Sequence, residues 1–131
     1  MILLDTSALI KWICVPGKLS KKARKIIGEE IKKEEIFISS ISVWEISLLI
    51  KKDRLGFFLD SDSWLEKVEK LPFIKFVPVD NTIAVKSVNL PNFENQDPAD
   101  RIIIATALNL GAKLITSDRK IINYKKVQTL W

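Results

Sequence analysis

Four carboxylates stand where they could act together: Asp5, Glu45, Asp100 and Asp118. The chain has no histidine. That excludes Ser-His-Asp triads, Cys-His pairs and histidine acid–base or metal chemistry. The single cysteine, Cys14, can form neither an internal disulfide nor a multi-cysteine zinc site. With no histidine to activate it, Cys14 reads as a small core residue rather than a nucleophile. Any chemistry must therefore come from oxygen and amine side chains, with or without a metal held by oxygen. Clustered carboxylates repel one another, and without a cation some of them should hold protons at neutral pH. Mg²⁺ or Mn²⁺ relieves that repulsion, because these hard ions take carboxylate and water oxygens. Such an ion can activate a water and neutralise charge on a phosphate in flight. The same four acids are thus the candidate catalytic and metal-binding residues.

The elements that must position them alternate along the chain. Ile2-Leu3-Leu4 reads as a buried strand ending at Asp5, and Asp5-Thr6-Ser7 offers caps for a helix over Ala8 to Ile13. Pro16-Gly17 breaks that helix. Ser20 to about Glu34 predicts an amphipathic helix with Ala23, Ile26, Ile27 and Ile31 on one face. A strand at Ile36-Phe37-Ile38 leads into a helix opened by Ser39, Ser40 and Ser42 and running to about Lys52. Asp60 to Ser63 caps a helix from Trp64 to Leu71, and Ile74 to Val79 is a third strand. Asp80-Asn81 starts a short helix over Thr82 to Val88, and Leu90 to Gln96 is a loop. Asp97-Pro98 opens a long helix through Leu110, with proline at the tolerated first position and Gly111 as the stop. Lys113 to Thr116 is a fourth strand, and Lys126 to Leu130 a candidate fifth.

Short, continuously apolar strands alternating with helices indicate an α/β fold, a parallel sheet covered on both faces. No linker, repeat or low-complexity segment interrupts residues 1–131, so one domain is expected. In such sheets ligands bind beyond the carboxyl ends of the strands, at the switch in strand order. All four acids fall at that edge: Asp5 and Asp118 just past strands, Glu45 and Asp100 in the first turns of helices that begin there. Each also has a plainer reading. Asp5 and Asp97 could be helix caps, Ser42-Val43-Trp44-Glu45 and Asp97-Pro98-Ala99-Asp100 both fit capping boxes, and Asp118 could sit in a turn. Glu45 strains the plain reading, because Ile41, Leu48 and Leu49 surround it on a face that should be buried.

The net charge is +5, from 21 Lys and Arg against 16 Asp and Glu. A basic surround about an acidic centre suits a phosphodiester substrate. The basic runs Lys18 to Lys25, Lys32-Lys33 and Lys51-Lys52 read most simply as solvated helix faces. No apolar run reaches the roughly 18 residues of a membrane span, and the first residues lack the layout of a signal peptide. A soluble cytoplasmic protein is the expectation.

Four segments in this order resemble the PIN-domain ribonucleases, and most of all the VapC-type toxins of VapBC toxin–antitoxin modules. They are Ile2 to Ala8, Ile38 to Ile46, Asp97 to Ala107 and Leu114 to Asp118. The resemblance covers essentially the whole chain. It implies a parallel sheet of order 3-2-1-4-5 and a metal-binding quartet of Asp5, Glu45, Asp100 and Asp118, with Asp97 capping the helix beside it. Thr6, Ser7 and Thr116 match positions that support the acids or a bound water, and an ordinary capping or strand role suits them equally. The resemblance further implies an RNA substrate, a Mg²⁺ or Mn²⁺ cofactor, a homodimer and a cognate antitoxin. The sequence departs from the family at Asn95, where relatives often carry histidine.

Other readings fit less well. A phosphoaspartate hydrolase would need an acid two residues after Asp5, where Ser7 stands. A receiver-type phosphoacceptor domain would need its acceptor after the third strand, where Asp80 looks like a helix cap. A non-catalytic PIN-like scaffold for RNA or protein would have no use for four acids. Trp12, Trp44, Trp64 and Phe93 could stack on bases or belong to the core. Leu48, Leu49, Leu55, Phe57, Phe58, Leu59 and Trp64 form an apolar stretch that either closes the core or docks a partner helix.

Overall fold

The computed structural model describes residues 1–54 and 60–131. Strand β1 (Ile2–Leu4) runs into helix α1 (Thr6–Cys14), then a single 3₁₀ turn over Pro16–Lys18 and helix α2 (Lys21–Lys33). Strand β2 (Ile36–Ser39) leads to helices α3 (Ser40–Lys51) and α4 (Ser61–Glu69), and strand β3 (Ile74–Val77) to helices α5 (Asn81–Val88) and α6 (Pro98–Leu110). Strand β4 (Lys113–Ile115), helix α7 (Arg119–Ile122) and strand β5 (Thr129–Leu130) complete the order.

All strand pairings are parallel, in the order β3-β2-β1-β4-β5. The chain therefore starts in the middle of the sheet, builds outward to one edge, then returns and builds to the other. Leu4 is in register with both Ile38 and Ile115. Successive side chains point to opposite faces of a strand, and both faces are buried here. Ile2, Leu4, Ile36, Ile38 and Ile115 pack with Leu9 of α1, Ile27 of α2, Ile46 of α3 and Trp64 of α4. Leu3 and Leu114 turn the other way, against Ile103, Ile104 and Ala107 of α6 and Ile121 of α7. Such doubly covered strands are continuously apolar, which is how they read in the sequence.

Several boundaries differ from expectation, each for a physical reason. Helix α3 begins at Ser40 with Ser39 as its cap, the Ser39 hydroxyl accepting from the Ile41 amide. Ser42 is thus inside the helix and fully buried, so the capping-box reading of Ser42 and Glu45 is wrong. Helix α4 starts at Ser61 because Asp60, not a later residue, takes the cap. Strand β3 stops before Pro78, which has no amide hydrogen to donate to a ladder. Helix α7 has too few residues to show a period. Glu30 lies on the buried face of α2, where the Met1 ammonium reaches it at 2.8 Å and Lys33 at 3.2 Å.

Candidate active site

Three of the acids owe their places to helix starts. Asp5 leaves β1 and caps α1, its Oδ1 accepting from the Ala8 amide at 2.7 Å. Asp118 follows β4 and caps α7, its Oδ1 accepting from the Lys120 amide at 2.9 Å. Asp100 lies in the first turn of α6, whose cap is Asp97, with Oδ1 accepting from Ala99 and Asp100 amides. Capping does not exhaust these acids. Glu45, in the second turn of α3, caps nothing. The Thr6 hydroxyl of α1 donates to Glu45 Oε1, and Thr6 also shares a 2.8 Å hydrogen bond with Ser42.

The four acids line one cavity of about 590 Å³ at the carboxyl edge of the sheet, beside β1 and β4 where the chain reverses its direction of growth. Their electrostatics show the same convergence. Burial pushes the Asp5 carboxyl up in pKa; the Thr116 hydroxyl and Ala8 amide oppose this, Asp118 adds to it, and Lys11 pulls it down. Burial also raises Glu45, against the Thr6 hydroxyl and with help from Asp97 and Asp5. Asp100 is pushed up to about 6 by burial first, then by Asp97, with Asp118 and Glu45 adding and the Asn95 amide opposing. Burial is the main cause of all three shifts, and the added repulsion from other acids places these carboxylates within electrostatic reach of one another.

The donor set suits a hard divalent ion, being all oxygen. Among the described residues, no three carboxylate side chains are already gathered about one point. That still fits Mg²⁺, which usually keeps several waters and takes one or two carboxylates directly. Glu45, Asp100 and Asp118 each engage one oxygen in a hydrogen bond, to Thr6, Asn95 and Lys120 respectively, and among the described residues the other oxygen has no such bond.

Thr6 is buried, Ser7 is exposed on the cavity wall, and Thr116 is fully buried with its Oγ1 accepting from the Asp118 amide at 3.0 Å. Asn95 bridges two parts of the site. Its Nδ2 donates to Asp100 Oδ2 at 2.9 Å and its Oδ1 accepts from the Asp97 amide at 3.0 Å. The loop carrying Asn95 is tied down by Arg101, whose guanidinium donates to the carbonyls of Ser87, Val88, Phe93 and Asn95 at 2.8 to 3.1 Å.

Sequence reasoning missed Lys11, Lys18 and Ser117, which also line the cavity. A signal for Lys11 exists, since it lies four residues after Ser7 and so shares its helix face. Of the aromatics offered for stacking, Trp64 and Phe93 are buried and Trp12 packs on Phe73. Trp44 alone is open, at 60% exposure, on an apolar hollow with Ile41, Val79 and Pro98 that shares Glu45 as a wall. Asp80 caps α5, accepting from the Ile83 amide at 2.8 Å, which removes the receiver-type acceptor position.

The sequence profile of the PIN domain matches residues 2–127. This chain belongs to the PIN-domain family. Within that family it is similar to ribonuclease VapC22 of Mycobacterium tuberculosis, 30% identical over 99% of this chain and 98% of VapC22. Solved structures share the fold of this PIN domain. VapBC2 of Rickettsia felis bound to a promoter DNA fragment has a TM-score of 0.75 at 17% identity, over 100% of this chain and 99% of that one. FitAcB of Neisseria gonorrhoeae has a TM-score of 0.71 at 20% identity, over 100% and 97%. A toxin–antitoxin complex of Klebsiella pneumoniae has a TM-score of 0.65 at 19% identity, over 100% and 97%. Among the described residues of the PIN domain, no helix is long and apolar enough to cross a membrane. Of the apolar stretch around the middle helices, Trp64 belongs to the core and Leu49 lines the acidic cavity, while Leu55, Phe57, Phe58 and Leu59 lie outside the described residues.

Proposed function

We propose that this PIN domain, residues 1–131, is a metal-dependent endoribonuclease that hydrolyses RNA phosphodiester bonds. The observation that carries the reading is the convergence of Asp5, Glu45, Asp100 and Asp118 on one cavity, three of them held above the ordinary carboxylate range by burial and by other acids. The 30% identity to a ribonuclease over the full chain supports the choice of substrate. These four residues would hold Mg²⁺ or Mn²⁺, which when bound supplies an activated water and offsets the charge of the phosphate. The chain's own part is positional. Thr6 fixes Glu45 against α1, Asn95 fixes Asp100, and Thr116 orients the backbone that presents Asp118. Burial on both sides of Asp5 lowers the local dielectric, so that a bound cation is attracted more strongly than at an open surface.

We further propose that it is the toxin of a type II toxin–antitoxin module, cytoplasmic, dimeric, and restrained by a cognate antitoxin. The similarity to VapC22 and the fold shared with toxin–antitoxin complexes support this. The nuclease reading is tested by stripping the protein with EDTA and returning Mg²⁺ or Mn²⁺. Cleavage of RNA should vanish and return, and the new 5′ ends should cluster at defined sites. Strong cleavage persisting in EDTA would remove the metal from the account. The toxin reading is tested by expression alone and with the neighbouring small open reading frame. Growth arrest relieved by co-expression, with a stable complex, is expected; a protein harmless on its own would leave the nuclease and sink the toxin.

A further inference from the structure

We infer that Lys11 is a phosphate-binding residue of this site, gripping the RNA backbone beside the carboxylate cluster; the inference rests on the nuclease reading and adds a substrate contact to it. Lys11 lies on α1, six residues after Asp5, and its side chain lines the same cavity as the four acids. Its surroundings are unusual for a lysine next to carboxylates. Among the described residues the ion pairs involve Met1, Lys33 and Lys70, and Lys11 is in none of them. Two uncharged groups hold it instead. Nζ donates to Ser117 Oγ at 3.1 Å and stands 4.7 Å from the centroid of the Trp131 ring.

That arrangement decides between two roles. A lysine serving only as counter-ion to the acids would close on a carboxylate, since the pair gains most at contact. Lys11 is fixed by a hydroxyl and an indole face, which orient the ammonium without neutralising it. An ammonium has three donors, and Ser117 takes one. The remaining donors, and a charge that Asp5 offsets only in part and without contact, are left at the wall of a cavity whose carboxylates repel anions. A polyanionic strand crossing that cavity needs such a point charge where its phosphate meets the rim. Lys18, the other cation on the wall, is exposed and makes no side-chain hydrogen bond among the described residues, so it is not held in place in the same way.

The test is binding of two fluorescein-labelled single-stranded RNA oligonucleotides of unrelated sequence, read by anisotropy in EDTA across a range of salt. Working without metal separates the result from cleavage. Lys11→Met should bind both oligonucleotides about tenfold more weakly than the wild type. Its plot of log affinity against log salt should be shallower by about 0.7, one phosphate contact on a single strand. Lys11→Arg should restore the slope, and Lys11→Gln should behave like Lys11→Met should the methionine variant fold poorly. Wild-type affinity and slope in both neutral variants would overturn the inference, as would weaker binding with an unchanged slope, which is the mark of a packing role. A wild type with no affinity for RNA in EDTA would overturn it as well. Failure of the nuclease reading shows elsewhere, as absence of cleavage when Mg²⁺ is returned to a protein that binds RNA.

Discussion

At the scale of single residues, the site is a set of carboxylates held partly out of water and near one another. Asp100 shows the cost most clearly, being raised from 3.8 to about 6 by burial first and by Asp97 and other acids after it. A folded state that holds a proton more tightly than the unfolded chain gains most at low pH. The gain is present below the unfolded pKa and is lost as pH rises through the folded one. For Asp100 that window runs from about 4 to about 6. Asp5 and Glu45 shift in the same direction. Asp100→Asn should therefore match the wild type in thermal stability near pH 4 in EDTA and exceed it increasingly toward pH 7. Mg²⁺ at neutral pH should shrink the advantage, because it stabilises only a state that binds it. Melting temperatures of both proteins across that range, with and without Mg²⁺, check this; a difference independent of pH would mean that Asp100 is not strained. That Asp5, Asp100 and Asp118 reach one edge of the sheet was legible because each sits at a strand end or helix start; Glu45, a turn further into α3, was marked instead by its apolar helix neighbours. Lys11 had only its spacing from Ser7 to mark it, because the groups that single it out, Ser117 and Trp131, come from far along the chain.

At the scale of elements, helices α1 and α3 meet through a polar contact in an otherwise apolar layer. Thr6 contacts both Ser42 and Glu45, and Ser42 is fully buried. Thr6→Val keeps the shape of the side chain but strips Ser42 and Glu45 of their partner. Leaving a buried polar group unsatisfied costs about 1 to 3 kcal/mol. Urea denaturation should show a loss in that range, and RNA cleavage should fall because Glu45 is no longer fixed. Unchanged stability and unchanged cleavage together would show that the contact positions nothing. This contact also explains a misreading. Ser42 followed three residues later by Glu45 has the spacing of a capping box, but Ser39 had already taken the cap, and the chain cannot reveal which of three nearby serines begins the helix. Helix α6 was plainer, because Asp97-Pro98 at one end and Gly111 at the other, with φ of +67°, mark both boundaries chemically.

At the scale of the whole molecule, four short, mainly apolar strands and the helices between them were enough to foretell a parallel sheet, since strands buried on both faces read as near-continuous apolar runs; the fifth, Thr129–Leu130, carries no such run and was only a candidate. Strand order was not derivable from those runs; it came with the family resemblance and is found as 3-2-1-4-5. Surface features were less legible, because exposure of one apolar residue is ordinary. Val85 and Val88, one helical turn apart on α5, are 62% and 73% exposed. If they mark the dimer contact, light scattering at tens of micromolar should give a dimer mass, and Val85→Glu with Val88→Glu should halve it. A wild type of monomer mass would remove the dimer from the account. The central claim is that four acids from four separate parts of the chain form one metal-dependent catalytic centre. It is tested most directly by single-turnover RNA cleavage with saturating Mg²⁺ in Asp5→Asn, Glu45→Gln, Asp100→Asn and Asp118→Asn. Each variant should lose about 100-fold or more in rate, the scale of removing one preorganised electrostatic group, while keeping a cooperative melting transition. Wild-type cleavage by a well-folded variant of any one of the four would contradict it.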